Sequence, residues 1–134
     1  MDTIGELEIL EYPRLIGSGD NSILVIDSRT AEWVVNGTIP GSVNIPWTNL
    51  IPSAGADSFE IADTLEKQFG VVSQEGLWNF SKAKTLVLFC NGLWCGQSSA
   101  NIKSLLGFGY PAHKIKWYRG AMQDWEILGL TVFR

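Results

Sequence analysis

Long apolar runs are missing from this chain, as are basic clusters, all but one histidine and all but two cysteines. Each absence removes a class of function. No apolar run approaches the roughly 20 residues of a membrane-spanning helix, so no membrane partner is expected. Ten Lys and Arg stand against 14 Asp and Glu, a net charge of -4, and the basic residues gather nowhere, which argues against nucleic acid as a partner. Two cysteines make no disulfide scaffold. With the distant His113 they also fall short of four ligands at zinc spacing, so no metal is expected. The first eight residues are acidic and lack the basic start and apolar middle of a signal peptide. The sequence fits a cytoplasmic protein if the chain is complete, and a periplasmic one if a leader has been trimmed.

What is present suits one globular domain over residues 1–134, with 46% hydrophobic residues to build its core. Six tryptophans are expected mostly in the core or as pocket walls. Residues 7–11 read as a short edge strand, broken by Pro13 and Gly17. Ile23-Leu-Val-Ile26, ending at Asp27, reads as a buried strand. Thr30 is placed to cap a short helix over 31–35. Residues 42–45 form a brief strand closed by Pro46, and 59–69 are amphipathic at helical spacing, with Gly70 as the stop. Residues 73–84 read as an irregular connection with a half-turn near 77–80. A last strand over 115–118, a turn at Arg119-Gly120 and a helix over 121–128 complete the chain. Short apolar strands alternating with helices imply a parallel sheet covered on both faces.

The most informative stretch is Thr85-Leu-Val-Leu-Phe-Cys90. It is an apolar run of strand length that ends on a thiol. Asn91-Gly-Leu-Trp-Cys95-Gly-Gln-Ser98 follows, and then a helical pattern that stops near Gly107 or Gly109. In parallel sheets ligands bind at the carboxyl ends of strands. Backbone N–H groups of such a loop and of a helix's first turn favour negative charge at one spot. That environment stabilises a thiolate, the nucleophilic form of cysteine. Sulfur or phosphorus chemistry at Cys90 is the first expectation. Buried cysteine can also be an inert small hydrophobe.

Three stretches together resemble the rhodanese family. Asp27-Ser-Arg29 followed by Gly37-Thr-Ile-Pro-Gly-Ser-Val-Asn-Ile-Pro46 is similar to the family's first signature. Leu88-Phe-Cys90 stands where the family keeps its active cysteine. Tyr118-Arg-Gly-Ala-Met-Gln-Asp-Trp125 with Gly129 is similar to its closing signature. The resemblance runs over about 23–134 and implies a rhodanese-like α/β domain, a central five-stranded, mainly parallel sheet with helices on both faces. It implies that Asp27 and Arg29 tie the sheet's end together beneath the active loop. The chain departs from the pattern where the family commonly has His at Thr38 and a second Gly at Ala121. Its cysteine loop is about one residue longer and carries no Arg or Lys. Seven-residue loops also occur in dual-specificity phosphatases of this fold. Those need an arginine to clamp phosphate, and here Gly96 and Gln97 stand in its place, so phosphatase activity is not expected.

The expectation is therefore a sulfurtransferase. Cys90 takes a sulfane sulfur as a persulfide and passes it to a thiol or to cyanide, with no cofactor. The backbone of Asn91, Gly92, Leu93, Trp94, Cys95, Gly96 and Gln97 would cradle the anion. Arg119 is expected at the same edge, steering anions or making a surface ion pair. Trp94 is expected to wall the pocket, or else to pack on Trp47 or Trp78. His113 is expected to have no general-base role, because transfer between thiolates needs none. Expected partners are a small sulfur donor, a thiol acceptor and, in one version, a partner protein. The alternatives are a non-catalytic sulfur carrier and a thiol–disulfide module using Cys90 and Cys95. Cys95 is open between a sulfur-handling role and plain packing, since disulfide geometry is demanding.

Overall fold

The computed structural model describes residues 2–17, 19, 21–74, 77–92 and 95–133. In chain order the elements are β1 (Asp2–Ile4), α1 (Glu6–Gly17), β2 (Ile23–Asp27), α2 (Ala31–Val34), β3 (Val43–Asn44), α3 (Ser58–Lys67), β4 (Val72–Gln74), β5 (Leu77–Asn79), β6 (Thr85–Phe89), α4 (Gln97–Gly107), β7 (Ile115–Tyr118) and α5 (Ala121–Ile127). Five strands form one sheet in the order β1-β7-β6-β2-β3, and every pairing in it is parallel. β6, the strand that ends beside Cys90, lies at its centre.

Alternation along the central strands divides the core in two. Ile26, Leu86, Leu88 and Ile115 face α3 and α4, where they meet Ile61, Leu65, Ile102 and Leu105. Val25, Val87, Phe89 and Tyr118 face the other way, onto Ile9 of α1 and Ala121, Met122 and Trp125 of α5. Because β2 and β6 are buried on both faces, they read as unbroken apolar runs rather than alternating ones.

α3 starts where Asp57 accepts a hydrogen bond from the Glu60 N–H at 2.8 Å, a side-chain cap for one orphan donor of the first turn. After its end the chain reverses at Gly70, whose φ of 74° favours glycine and whose Cβ would sit 3.2 Å from the Lys82 carbonyl. Thr30 does precede α2, but its side chain makes no capping hydrogen bond.

Two elements differ from the sequence expectation. Residues 7–11 belong to helix α1, and the edge strand is β1, just before it. Ile9 is buried against the sheet while Leu7 is exposed, so the apparent alternation is one stripe of a helix. Residues 72–79 hold an antiparallel pair, β4 with β5, instead of an irregular connection. Their strands are three residues long, too short for a period of two to be read.

Candidate active site

The carboxyl ends of β2, β6 and β7 hold most of the residues singled out from the sequence. Asp27, the last residue of β2, and Arg29 form a buried ion pair. Arg29 Nη2 donates to Asp27 Oδ2 at 2.7 Å and Nε to Oδ1 at 2.9 Å, with side chains 4% and 1% exposed. A buried pair persists only if its other groups are satisfied, and here they are. The Arg29 N–H and the Thr38 hydroxyl donate to the Asp27 carboxylate at 3.0 and 2.7 Å. Arg29 Nη2 also donates to the Gly37 carbonyl at 2.8 Å. Arg29 Nη1 reaches Asn91 Oδ1 at 3.3 Å, which joins the pair to the residue after Cys90. Asn44 adds hydrogen bonds to the carbonyls of Asp27 and Arg29.

Cys90 follows β6 directly and is 1% exposed. Its carbonyl accepts from the Met122 N–H at 3.1 Å, and that of Asn91 from the Gln123 N–H at 2.8 Å. The first turn of α5 thus holds the start of the loop by its backbone. The Cys95 N–H donates back to the Gly92 carbonyl at 3.0 Å, folding the loop over. The two cysteines are joined as a disulfide, with their Cα atoms 6.4 Å apart. In this state Cys90 has no thiolate to offer, and no free cysteine remains among the described residues.

Gln97, the first residue of α4, places its Oε1 3.3 Å from Cys90 Sγ. A disulfide sulfur has no hydrogen to donate, so this contact becomes a hydrogen bond only when Cys90 is reduced. Amide oxygen and nitrogen are assigned from their partners, and a rotated amide would donate to an anionic sulfur instead. In either orientation the side chain that touches Cys90 is neutral. Ser98, in the same first turn, is fully buried, and its hydroxyl has no hydrogen-bond partner among the described residues.

Arg119 lies at the end of β7, exposed, on a cleft of about 450 Å³ that Glu6, Gly120, Gln123 and Asp124 also line. Gly120 is tightly enclosed there, since a Cβ would meet the Asp124 carboxylate and Glu6 Oε1. Tyr118 donates to Glu6 Oε1 at 3.3 Å. Burial, then the charges of Glu6 and Asp124, push its hydroxyl well above the usual tyrosine range. A second cleft, about 370 Å³, is lined by Trp33, Asn36, Asn91 and Met122 and shares Gln123.

The structure therefore gathers Asp27, Arg29, Cys90, Asn91, Gly92, Cys95, Gly96 and Gln97 around one loop, with Arg119 at the same edge. Leu93 and Trp94 lie outside the described residues. His113 is exposed in the turn before β7, at the opposite end of the strands. Sequence reasoning missed Thr38 as a ligand of the Asp27 carboxylate, although its place inside the first signature was the available signal. It also missed the brace from Met122 and Gln123, which is made by backbone and leaves no mark on residue type.

The chain matches the rhodanese-like domain over residues 11–128, and it belongs to that family. It is 25% identical over 119 residues to a Saccharomyces cerevisiae thiosulfate:glutathione sulfurtransferase, covering 89% of this chain and 76% of that one. Solved structures repeat the fold. A human single-domain sulfurtransferase superposes with a TM-score of 0.59 at 22% identity, covering 95% of this chain and 96% of that one. A Bacillus halodurans protein reaches 0.65 at 20% identity, covering 98% and 76%. Family and relatives together support sulfur transfer as the general chemistry.

Proposed function

We propose that this chain is a sulfurtransferase whose nucleophile is Cys90 in its reduced form. One observation carries the reading. The Cys90 sulfur sits at the carboxyl end of a central parallel strand, in contact with the first residue of α4, in a chain of the rhodanese-like family. The Cys90 thiolate attacks the outer sulfur of a sulfane donor. The donor's sulfur–sulfur bond breaks and its electrons leave with the rest of the donor, sulfite in the case of thiosulfate. Cys90 is left as a persulfide, which an acceptor thiol or cyanide then takes. The first turn of α4, whose leading residue Gln97 touches Cys90 Sγ, would favour an anionic sulfur there through its unpaired N–H groups.

The neutral loop sets the donor preference. A doubly charged anion finds only backbone dipoles there, each worth about 0.3–1 kcal/mol, with Arg119 at the same edge. Thiosulfate is expected to be a weak substrate, a monoanionic persulfide a better one, and an aryl phosphate none. The test compares kcat/KM for thiosulfate, glutathione persulfide and a phosphotyrosine analogue, with Cys90→Ser as control. Cys90→Ser is expected to abolish thiocyanate formation. If it keeps more than about a tenth of the wild-type rate, equivalent to about 1.4 kcal/mol of barrier, Cys90 is not the nucleophile. Saturation by micromolar thiosulfate, or phosphatase turnover that Cys90→Ser removes, would sink the reading of the loop. The disulfide favours a second reading, a thiol–disulfide module without sulfur turnover. Failure of the reduced Cys95→Ser variant, in which no disulfide can close, to gain a sulfur atom from any of the donors would select it.

A further inference from the structure

We propose that Cys95 is a resolving thiol, which converts a persulfide on Cys90 into the Cys90–Cys95 disulfide and expels the sulfane sulfur as hydrosulfide. This rests on Cys90 being the sulfur-accepting residue.

Both sulfurs are enclosed, Cys90 at 1% and Cys95 at 8% exposure, and each is held by backbone. Met122 fixes the carbonyl of Cys90, and the hydrogen bond from Cys95 N–H to Gly92 turns Cys95 back over the strand end. The loop that would cradle a persulfide therefore carries a second thiol aimed into its own cradle.

The position of that thiol selects the reaction. A persulfide offers an inner and an outer sulfur. Attack on the outer one would move the sulfane to Cys95, and the attacking sulfur would have to stand about 2 Å further out, one sulfur–sulfur bond beyond Cys90 Sγ. In the structure Cys95 is bonded to Cys90 Sγ itself. Attack thus falls on the inner sulfur. A bond forms between Cys95 Sγ and Cys90 Sγ, and the bond from Cys90 Sγ to the outer sulfur breaks. The electron pair leaves with the outer sulfur, and the proton of the Cys95 thiol goes to it, giving HS⁻. Two thiols are oxidised to a disulfide and the sulfane sulfur is reduced to sulfide, so no external oxidant enters. A sulfur that leaves as a stable anion leaves quickly, and the first turn of α4 favours negative charge there. Where no external acceptor takes the persulfide sulfur first, one turnover closes the disulfide. A dithiol reductant must reopen it before the next, which makes such a reductant the partner class this loop requires.

The experiment is a single turnover without reductant. Fully reduced wild type and Cys95→Ser are mixed anaerobically with an arenethiosulfonate, a monoanionic sulfane donor whose by-product is a sulfinate and not a thiol. Intact mass and alkylation-trapped hydrosulfide are read together. Wild type is expected to end about 2 Da lighter, having lost two hydrogens, and to release close to one equivalent of hydrosulfide. Cys95→Ser is expected to end about 32 Da heavier, having kept one sulfur atom, with at least about tenfold less hydrosulfide. Cys95→Ala repeats the measurement with the hydroxyl removed. Wild type that stays heavier by one sulfur, or variants that release hydrosulfide as fast as wild type, would overturn the resolving role and leave Cys90 transfer standing. If neither wild type nor variants take up sulfur, both proposals fall.

Discussion

At the amino ends of the strands, Lys114 donates its three hydrogen bonds to the carbonyls of Phe80, Ser81 and Ala83, at 3.0, 3.3 and 2.9 Å. Tyr110 there donates to the carbonyl of Lys84, and burial pushes its hydroxyl far above the usual range. At the carboxyl ends, Arg29 is shared among the Asp27 carboxylate, the Gly37 carbonyl and the Asn91 side chain. Both ends gather a cation and backbone carbonyls, yet they differ in where the network stops. The Lys114 cage closes on backbone that leads only into β6. The Arg29 network continues through Asn91 into the loop that carries Cys90. A polar network ending on backbone is a fastening, whereas one ending on a reactive loop can also position it.

That contrast breaks first at Asp27. Asp27→Ala leaves Arg29 buried without its carboxylate, and removing one member of such a pair typically costs about 3–5 kcal/mol. The urea midpoint should fall accordingly, while the rate of sulfur loading on Cys90 falls by no more than about tenfold, or about 1.4 kcal/mol. An unchanged midpoint would mean that the pair adds nothing net to the fold. Loading lost with stability intact would make Asp27 a positioning residue for the loop.

Lys114→Met sharpens the comparison from the other end. Met keeps the apolar stem and removes the ammonium, so the carbonyls of Ser81 and Ala83 lose the donor described for them, while that of Phe80 still accepts from the Ala83 N–H at 3.0 Å. Buried unsatisfied groups cost about 1–3 kcal/mol, and water can reach this site because the bond to Ser81 is exposed, so the lower half of that range is expected. Sulfur loading should be unaffected. If Lys114→Met slowed loading as much as Asp27→Ala, the two ends would not be separable in the way the hydrogen bonds suggest.

The parts of this molecule that were legible in the sequence are those whose pattern is local. β2 and β6 are doubly buried apolar runs, and Cys90 could be placed because it follows one of them directly. β1 was misplaced because three residues, Asp2–Ile4, of which only Ile4 is buried, become a strand only by pairing with β7. Such tertiary override of local preference is ordinary for short edge strands. The four residues between Cys90 and Cys95 left their pairing open, because joining them depends on how Gly92 turns the loop, which residue type does not specify. Asp27 and Arg29 were visible as a motif and Asn91 as a loop residue, but the contacts of Thr38, Asn44 and Asn91 with the pair were not. Each acts through hydrogen bonds that depend on the folded backbone.

The smallest expected effect is that of Ala121→Gly, beside the loop, where the family pattern has a second glycine. The φ of Ala121 is 56°, the left-handed region, which costs a residue with a Cβ about 1–2 kcal/mol. Ala121→Gly relieves that cost. It also removes a buried methyl worth about 0.8 kcal/mol and adds unfolded-chain freedom worth about 0.4–1 kcal/mol. The three terms oppose one another, and the urea midpoint should move by less than the equivalent of about 0.5 kcal/mol. Ala121→Val keeps the left-handed requirement, makes it worse with a branched Cβ, and inserts two methyls into a site that is 1% exposed. It should cost about 2 kcal/mol or more. Because the Met122 N–H holds the Cys90 carbonyl, the valine variant should also slow sulfur loading, and the glycine variant should not. A valine variant as stable and as fast as wild type would show that the start of α5 neither needs this backbone conformation nor braces the cysteine.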